Sequence, residues 1–312
     1  MSSSELAAGP PVPVTPTASA AEDVIHDIGF RHYDGARFGR GWIVRSLLVE
    51  TVRGIFGLGR PAKSKIMPWV LFGILMLPPL IIALWVILTG GKDLPLSSYT
   101  RYLSSMQFVI SLFVAGAAPY CVSRDLRHGV IPLYLSRPMK RSDYALAKFG
   151  GLSIGLFLVL AVPETLLLLG AVLAKLSIGH QLAGWAGGIA ISAILALVLS
   201  AISLVIAAFT PRRGLGVAAI VTTLVVVSGL SFVLSGIAGE KGYQTLSDYV
   251  AMLDPFRLVD GLAVAWFGVS SSSSTAPPPG ALGGTVFALV AAALVGGGVA
   301  ILVRRYRKVG VV

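Results

Sequence analysis

Long apolar runs separated by short polar segments dominate the chain from residue 67 onward. A helix that crosses a bilayer needs about 20 mainly apolar residues. Six segments reach that length: 67–89, 102–122, 151–174, 182–209, 215–238 and 282–303. The second is the least regular, because Ser104, Ser105 and Gln107 lie near its start. The pattern therefore predicts an all-α polytopic membrane protein with six transmembrane helices.

A shorter pattern precedes the first span, at residues 41–57. Val44, Leu48, Val52 and Ile55 recur there at helical spacing, with charged residues between them. Two interpretations fit this pattern: an amphipathic helix lying in the membrane interface, or an ordinary helix in the cytosol. Its period and its length favour the interfacial helix.

The segment 239–281, between the fifth and sixth spans, is long for a connection. Within it, Asp254 followed by Pro255 is typical of a helix start. Apolar residues follow at helical spacing: Phe256, Val259, Leu262, Ala263 and Trp266. We expect a short helix there that dips into the outer interface. The end of the segment, SSSSSTAPPPG at 270–280, has the composition of a flexible linker.

Composition and charge agree with a membrane protein. The 312 residues are 55% hydrophobic and 12% charged, against about 25% charged residues in a soluble domain. Twenty of the 25 Lys and Arg residues lie before the first span, at 123–150, at 212–213 or after 303. Positive residues are retained on the cytoplasmic side, so we expect both termini in the cytoplasm. This asymmetry explains the net charge of +11 without a nucleic-acid partner.

Several kinds of chemistry lack their signatures. The chain has no G-x-x-x-x-G-K-[ST] motif for ATP and no G-x-S-x-G nucleophile elbow. Cys121 is the only cysteine, and the four histidines are scattered without metal-ligand spacing. These features argue against an enzyme, and we expect no cofactor in this chain.

Glu164 is the only Asp, Glu, Lys, Arg or His inside the six predicted spans. A charged carboxylate in a bilayer costs a few kcal/mol, so this side chain should face protein or water. It could line a path for a substrate, or it could be a hydrogen-bonded strut beside Pro163. The absence of a basic partner within the spans favours the strut.

The segment 123–150, SRDLRHGVIPLYLSRPMKRSDYALAKFG, is a polar interruption between the second and third spans. Residues 124–128 can continue the second helix, Gly129 permits a turn, and Ser142 or Asp143 can cap the third helix. Positive charge alone would anchor the topology. The segment also has a turn at Gly129, a proline at 138 that would break a helix, and apolar residues at 131–135. An anchor of positive charge does not need these features, so they indicate a folded surface that docks a partner.

This basic segment resembles the one between the second and third helices of ABC-2 type ABC transporter permeases. The resemblance rests on an acidic residue, a Gly four residues later, Leu-Ser-x-Pro, and then a basic residue, an aromatic residue and a Lys. Here those are Asp125, Gly129, residues 135–138, Arg141, Tyr144 and Lys148. Val130 departs from the usual small hydroxyl residue. The match covers about residues 41–308, and residues 24–40 are similar to the head of actinobacterial members.

The resemblance implies a non-catalytic permease subunit in a bacterial plasma membrane. It would pair with a second permease, as a homodimer or a heterodimer, and with two copies of an ATP-binding subunit that hold ATP and Mg. The substrate would be a lipophilic or amphiphilic molecule sent outward, such as a drug, a lipid or a glycan. The residues expected to couple to the ATPase are Arg124, Asp125, Arg127, Gly129, Leu135, Ser136, Pro138, Arg141, Tyr144 and Lys148.

Three regions follow from these expectations: a disordered tail at 1–22, a cytoplasmic segment with an amphipathic elbow helix at 23–65, and a transmembrane domain at 66–309. Two other functions remain open. A membrane scaffold without transport would depend on the outer segment 239–281. A membrane enzyme acting on lipid-linked substrates would use the basic segment for a phosphate and Asp125 or Asp143 as a base.

Overall fold

The protein is built from helices that follow one another along the chain. The structure, a computed structural model, describes residues 35, 38–90, 99–127, 129, 133–134, 136, 139–210, 212–268 and 280–308. Within these residues the helices are α1 Arg40–Ile55, α2 Lys63–Thr89, α3 Tyr99–Ser105, α4 Gln107–Arg127, α5 Arg141–Leu173, α6 Ile178–Phe209, α7 Arg213–Glu240, α8 Gln244–Val250, α9 Pro255–Phe267 and α10 Gly280–Lys308. The short 3₁₀ helix Ala251–Leu253 lies between α8 and α9. This architecture confirms the all-α polytopic fold.

Five of these helices, α2, α5, α6, α7 and α10, are long and apolar enough to cross a membrane. The predicted second span, 102–122, differs from a straight helix: α3 and α4 form a pair bent by 68°. Counting that pair as one span gives the six that the sequence predicts. Near the break, Gln107 Nε2 at the start of α4 donates to Ser228 Oγ at 2.8 Å and to Asp254 Oδ2 at 3.3 Å. These bonds link the start of α4 to α7 and to the start of α9.

The centre of the bundle is the α5–α6 pair. About half of the most apolar stretch of each is buried within the chain, whereas that fraction is near a fifth in α2, α7 and α10. α1 and α2 pack on α5, and α4 and α10 pack on α6. The outer helices therefore expose apolar faces to lipid or to another subunit.

Glycines in α5 allow α1 to pack closely against it. A Cβ added at Gly151 would lie 2.6 Å from Thr51 Cβ, and one at Gly155 would lie 2.8 Å from Ile55 Cδ1. The buried face of α1 consists of Leu47, Thr51, Gly54 and Ile55. It is rotated from the predicted stripe, whose members Val44, Leu48 and Val52 are half-buried.

Thr51 explains why a sequence pattern misses this rotation. Its hydroxyl donates to Leu47 O at 2.7 Å, so a residue that is polar by type is buried with its hydrogen bond satisfied.

The third predicted span begins earlier than the apolar pattern indicates. The sequence predicts 151–174, but α5 begins at Arg141 and continues without a break for 33 residues. Such a helix is about 50 Å long, whereas the hydrocarbon core is about 30 Å thick. The basic end of α5 is therefore a rigid extension of the span, and α4 likewise continues to Arg127.

The described part of the outer segment, up to residue 268, is mostly helical. α8 packs on α7, and α9 packs on α6 and α10. The predicted helix start at Asp254 is confirmed, because its Oδ1 accepts a hydrogen bond from Phe256 N at 3.0 Å. Four of the five predicted apolar positions are buried, whereas Trp266 is exposed. Gln107 of α4 also donates to Asp254 Oδ2 at 3.3 Å, so α4 contacts the start of α9.

Several expectations fall on residues outside those that the structure describes. They are the tail 1–22, nearly all of the segment 24–40, the linker up to residue 279, and Leu135, Arg137 and Pro138 in the basic segment. These stay predictions.

Candidate functional site

Asp125 is the point where α4 and α5 are joined at the basic end of the bundle. Tyr144 and Lys148 lie one helical turn apart on α5, so both side chains reach the same neighbour. Tyr144 Oη donates to Asp125 Oδ2 at 2.6 Å, and Lys148 Nζ lies 2.9 Å from the same oxygen. The Asp125 and Lys148 side chains are only 13% and 9% exposed. A largely buried, charge-assisted pair of this kind fixes two helices to each other.

The end of α10 completes this cluster. The Tyr306 ring packs edge-on against the Tyr144 ring, with centroids 5.1 Å apart. Nearby, the guanidinium of Arg141 donates to the backbone carbonyl of Arg307 at 2.5 Å. Tyr134, within the basic segment, lies on another side of Tyr144, with ring centroids 5.7 Å apart. Three helices, α4, α5 and α10, therefore meet around one tyrosine.

The first turn of α5 also binds α1. Arg40 donates from Nε and from a terminal nitrogen to the two carboxylate oxygens of Asp143, at 2.6 and 2.5 Å. Oδ2 of Asp143 also accepts from the backbone N–H of Lys140 at 3.0 Å, which caps the first turn. The hydrogen bond with Asp143 raises the pKa of Arg40. Asp143 thus serves as a cap, as expected, and also as the docking point for α1.

The other predicted coupling residues lie in or beside the connection between α4 and α5. Arg124 and Arg127 belong to the last turn of α4. Gly129 has a φ of +60°, the left-handed conformation that a side chain disfavours. Ser136 Oγ donates to Leu133 O at 2.8 Å, and the Leu133 side chain is 71% exposed. Leu135 and Pro138 lie outside the described residues.

Sequence reasoning did not single out Arg40 or Tyr306. Both lie far along the chain from the basic segment and come from other helices, so no local spacing links them to Tyr144. Tyr306 stands in the basic run RRYRK, and tyrosine is common at the ends of membrane helices, so its residue type gave no signal.

Glu164 lies at the interface of α5 and α6, away from this cluster. It is fully buried, and Ser192 Oγ donates to its Oε1 at 2.8 Å. Its Oε2 has no hydrogen-bond partner among the described residues. A Cβ added at Gly188 would lie 3.1 Å from that oxygen and 2.7 Å from Tyr99 Cβ. The glycine therefore makes room for the carboxyl group within the subunit.

These observations first define a class of protein: a multi-pass α-helical membrane protein whose spans are tied together at their basic ends. The sequence family is then specific. The family model described as ABC-2 family transporter protein matches residues 18–308, and the chain belongs to this family. It is thus a membrane permease of an ABC transporter, from a family whose members in general work with an ATP-binding subunit. No curated protein matches the chain.

Proposed function

We propose that the chain transmits ATP-driven movement from a separate ATP-binding subunit to its own helices through the basic segment 123–150. The supporting observation is the Asp125–Tyr144–Lys148 cluster. It joins the two helices that flank the segment, and Tyr306 adds α10 to the same joint. A force on the segment would therefore move three helices together.

The contact with the ATP-binding subunit would use the exposed side chains of the segment. Leu133 is 71% exposed within a polar segment, and Lys140 and Ser136 are exposed beside it. An apolar side chain at such a position is favoured when a partner covers it. Buried Tyr144 and Lys148 would then have a positioning role, while Leu133 and Lys140 would touch the partner.

The rest of the proposal follows the family. Two permeases, identical or not, would assemble with two ATP-binding subunits, which hold the ATP and Mg. The apolar faces that α2, α7 and α10 leave exposed support contact with a second permease or with lipid. The cargo would be a lipophilic or amphiphilic molecule sent outward across the plasma membrane of a bacterium, with both termini of this chain in the cytoplasm.

Two observations bear on the alternatives. Asp125, the candidate base of a lipid-modifying enzyme, already accepts from Tyr144 and pairs with Lys148, while Asp143 is occupied by Arg40 and a backbone N–H. The helices of the outer segment are packed into the bundle, with Asp254 and Phe256 buried. This packing favours the interpretation that the outer segment is part of the transport fold over the interpretation that it is a surface for an envelope partner. Glu164, being fully buried and bonded to Ser192, would be a structural strut.

The test is co-purification with an ATP-binding subunit encoded beside this chain. We expect Leu133→Asp and Lys140→Glu to abolish co-purification and the ATPase activity of the complex in lipid nanodiscs. The melting temperature of the isolated permease should not change, because both side chains are exposed. Lys241→Glu, an exposed residue beyond α7, is the matched control. Full ATPase activity and co-purification in the Leu133 and Lys140 variants would refute the proposed contact.

A further inference from the structure

Two adjoining cavities lie beside α1 at the basic end of the bundle. The larger has a volume of about 640 Å³ and the smaller about 140 Å³, and Gly54, Arg60 and Tyr120 line both. Both lie near the start of α2, where the chain enters the membrane. Their position is therefore the boundary between the apolar core and the polar face.

The larger cavity is cationic. Arg45, Arg53 and Arg60 line it, and Glu50 is the acidic residue among its lining. The Arg60 guanidinium lies 3.4 Å from the centroid of the Tyr120 ring, a cation–π contact that fixes its position. Arginine presents several donors in a plane and suits a phosphate group. The lining therefore has the charge and the donors for an anionic headgroup.

The lining of the smaller cavity includes both polar and apolar residues. Lys63, Ser64 and Arg213 line it together with an apolar set: Ile55, Met67, Pro68, Leu71, Phe113, Gly116 and Ala117. The Tyr120 ring separates the two cavities by packing on Gly54, where an added Cβ would lie 2.5 Å from Tyr120 Cε1. A charged pocket next to an apolar cleft matches an amphiphile with an anionic head and a hydrocarbon tail.

We propose that these cavities bind one anionic phospholipid, with its phosphate among Arg45, Arg53 and Arg60 and only the first few carbons of an acyl chain in the cleft of about 140 Å³ between Met67 and Phe113. The lipid would belong to the membrane leaflet at the basic face. It would hold α1 against α2 and α4 by bridging them. Trp42, which also lines the larger cavity and is 51% exposed, would lie at the headgroup level, where aromatic residues are enriched.

The test measures lipid retained by the full chain from nanodiscs, by native mass spectrometry. One set of discs contains phosphatidylcholine alone and the other contains added phosphatidylglycerol. We expect retention of about one phosphatidylglycerol and no comparable retention of phosphatidylcholine. Because each basic residue near a membrane surface contributes about 1 kcal/mol toward anionic lipid, Arg45→Gln with Arg53→Gln should weaken retention roughly 10- to 30-fold.

Two matched variants make the result specific. Arg212→Gln with Arg304→Gln removes the same charge from exposed residues that line neither cavity, and it should leave retention unchanged. Glu50→Gln removes the acidic residue from the lining and should strengthen retention. This second variant keeps both arginines, so it tests the site even if the double arginine variant does not fold.

Three results would overturn the proposal. The first is equal retention of the two lipids, and the second is equal loss of retention in the arginine variant and its control. The third comes from adding inorganic phosphate to the phosphatidylcholine discs: if it raises the melting temperature as much as phosphatidylglycerol does, the site binds a soluble anion. A loss of melting temperature in Arg45→Gln with Arg53→Gln that is equal in both kinds of disc also contradicts the proposal, because the two arginines would then stabilise the fold without binding lipid.

Discussion

At the scale of residues, Asp125 determines how the basic ends of the helices are held. One of its oxygens accepts from Tyr144 and faces the ammonium of Lys148, so a carboxylate removed from water has two partners. Lys148 also lies 5.5 Å from the centroid of the Tyr144 ring. Loss of one partner would leave a largely buried charge without compensation, which costs about 3–5 kcal/mol.

We therefore expect Asp125→Asn and Lys148→Met each to lower the melting temperature of the purified permease. Asp125→Asn should have the larger effect, because it leaves the Lys148 ammonium with a neutral amide in place of the carboxylate. The double variant has no buried charge and should recover part of the loss. Lys140→Met removes an exposed charge from the same segment and should have little effect. Additive losses in the double variant would contradict a direct pair.

Part of this joint could be predicted from the sequence. Tyr144 and Lys148 are four residues apart, so one helix face for both follows from helical spacing alone. The family motif adds Asp125. Tyr306 could not be predicted, because the crossing of α10 over α5 depends on packing of the whole bundle, and that contact has no local pattern.

At the scale of elements, glycines on α5 decide how α1 docks. Gly151 and Gly155 are one turn apart, and the backbone of α1 approaches where they lack a Cβ. Arg40 and Asp143 add an ion pair near the start of both helices. α1 is thus fixed along α5 by shape and at its start by charge.

We expect Gly155→Ala to destabilise the protein by about 1–3 kcal/mol, the usual cost of an extra methyl group in a packed interface. The added Cβ would lie 2.8 Å from Ile55 Cδ1. Ile55→Val removes that atom, so Gly155→Ala with Ile55→Val should be more stable than Gly155→Ala alone. The control is Gly236→Ala in α7, where no heavy atom of the described structure lies within 4 Å of the added Cβ. Thermal unfolding in detergent is measured for Gly155→Ala, Ile55→Val, the double variant and Gly236→Ala. If Ile55→Val does not recover the stability lost in Gly155→Ala, this contact is excluded.

The elements also show where hydropathy succeeds and where it fails as a predictor. Continuous apolar runs place α2, α6, α7 and α10 well, because a membrane requires such runs of any spanning helix. The bend at Met106 was not predicted, because hydropathy marks an apolar stretch and carries no information on a change of helix direction within it; the partners of Gln107 beside the bend, Ser228 and Asp254, are also remote in sequence. The early start of α5 was missed because its first ten residues, RSDYALAKFG, mix charged and polar residues with apolar ones and so precede the continuous apolar run.

At the scale of the whole molecule, the basic residues collect at one end of the bundle. Successive spans alternate in direction, so the starts of α2, α5 and α7 and the ends of α4 and α10 share that end. The hydrogen bond from Arg141 to Arg307 O joins two of these places directly. The joint around Tyr144, the docked α1 and both cavities therefore lie at the same end, the one expected to meet the ATP-binding subunit.

This arrangement makes the orientation of the chain testable with cysteine labelling. Cys121 is 1% exposed, and Cys121→Ser gives a background without a thiol. Lys140 and Lys241 are both exposed, and an odd number of spans, α5, α6 and α7, separates them. Lys140→Cys and Lys241→Cys should therefore react from opposite sides of the membrane.

In intact cells, a membrane-impermeant maleimide should label Lys241→Cys and spare Lys140→Cys, which should react only after permeabilisation. The physical reason is that 20 of the 25 Lys and Arg residues lie in the segments assigned to the cytoplasmic side, and moving such segments across the membrane is disfavoured. The Cys121→Ser background should remain unlabelled in both conditions. Labelling of Lys140→Cys in intact cells would show that the chain has the opposite orientation in the membrane. It would also remove the basic segment from reach of any cytoplasmic ATP-binding subunit, so the proposed coupling and the orientation depend on the same experiment.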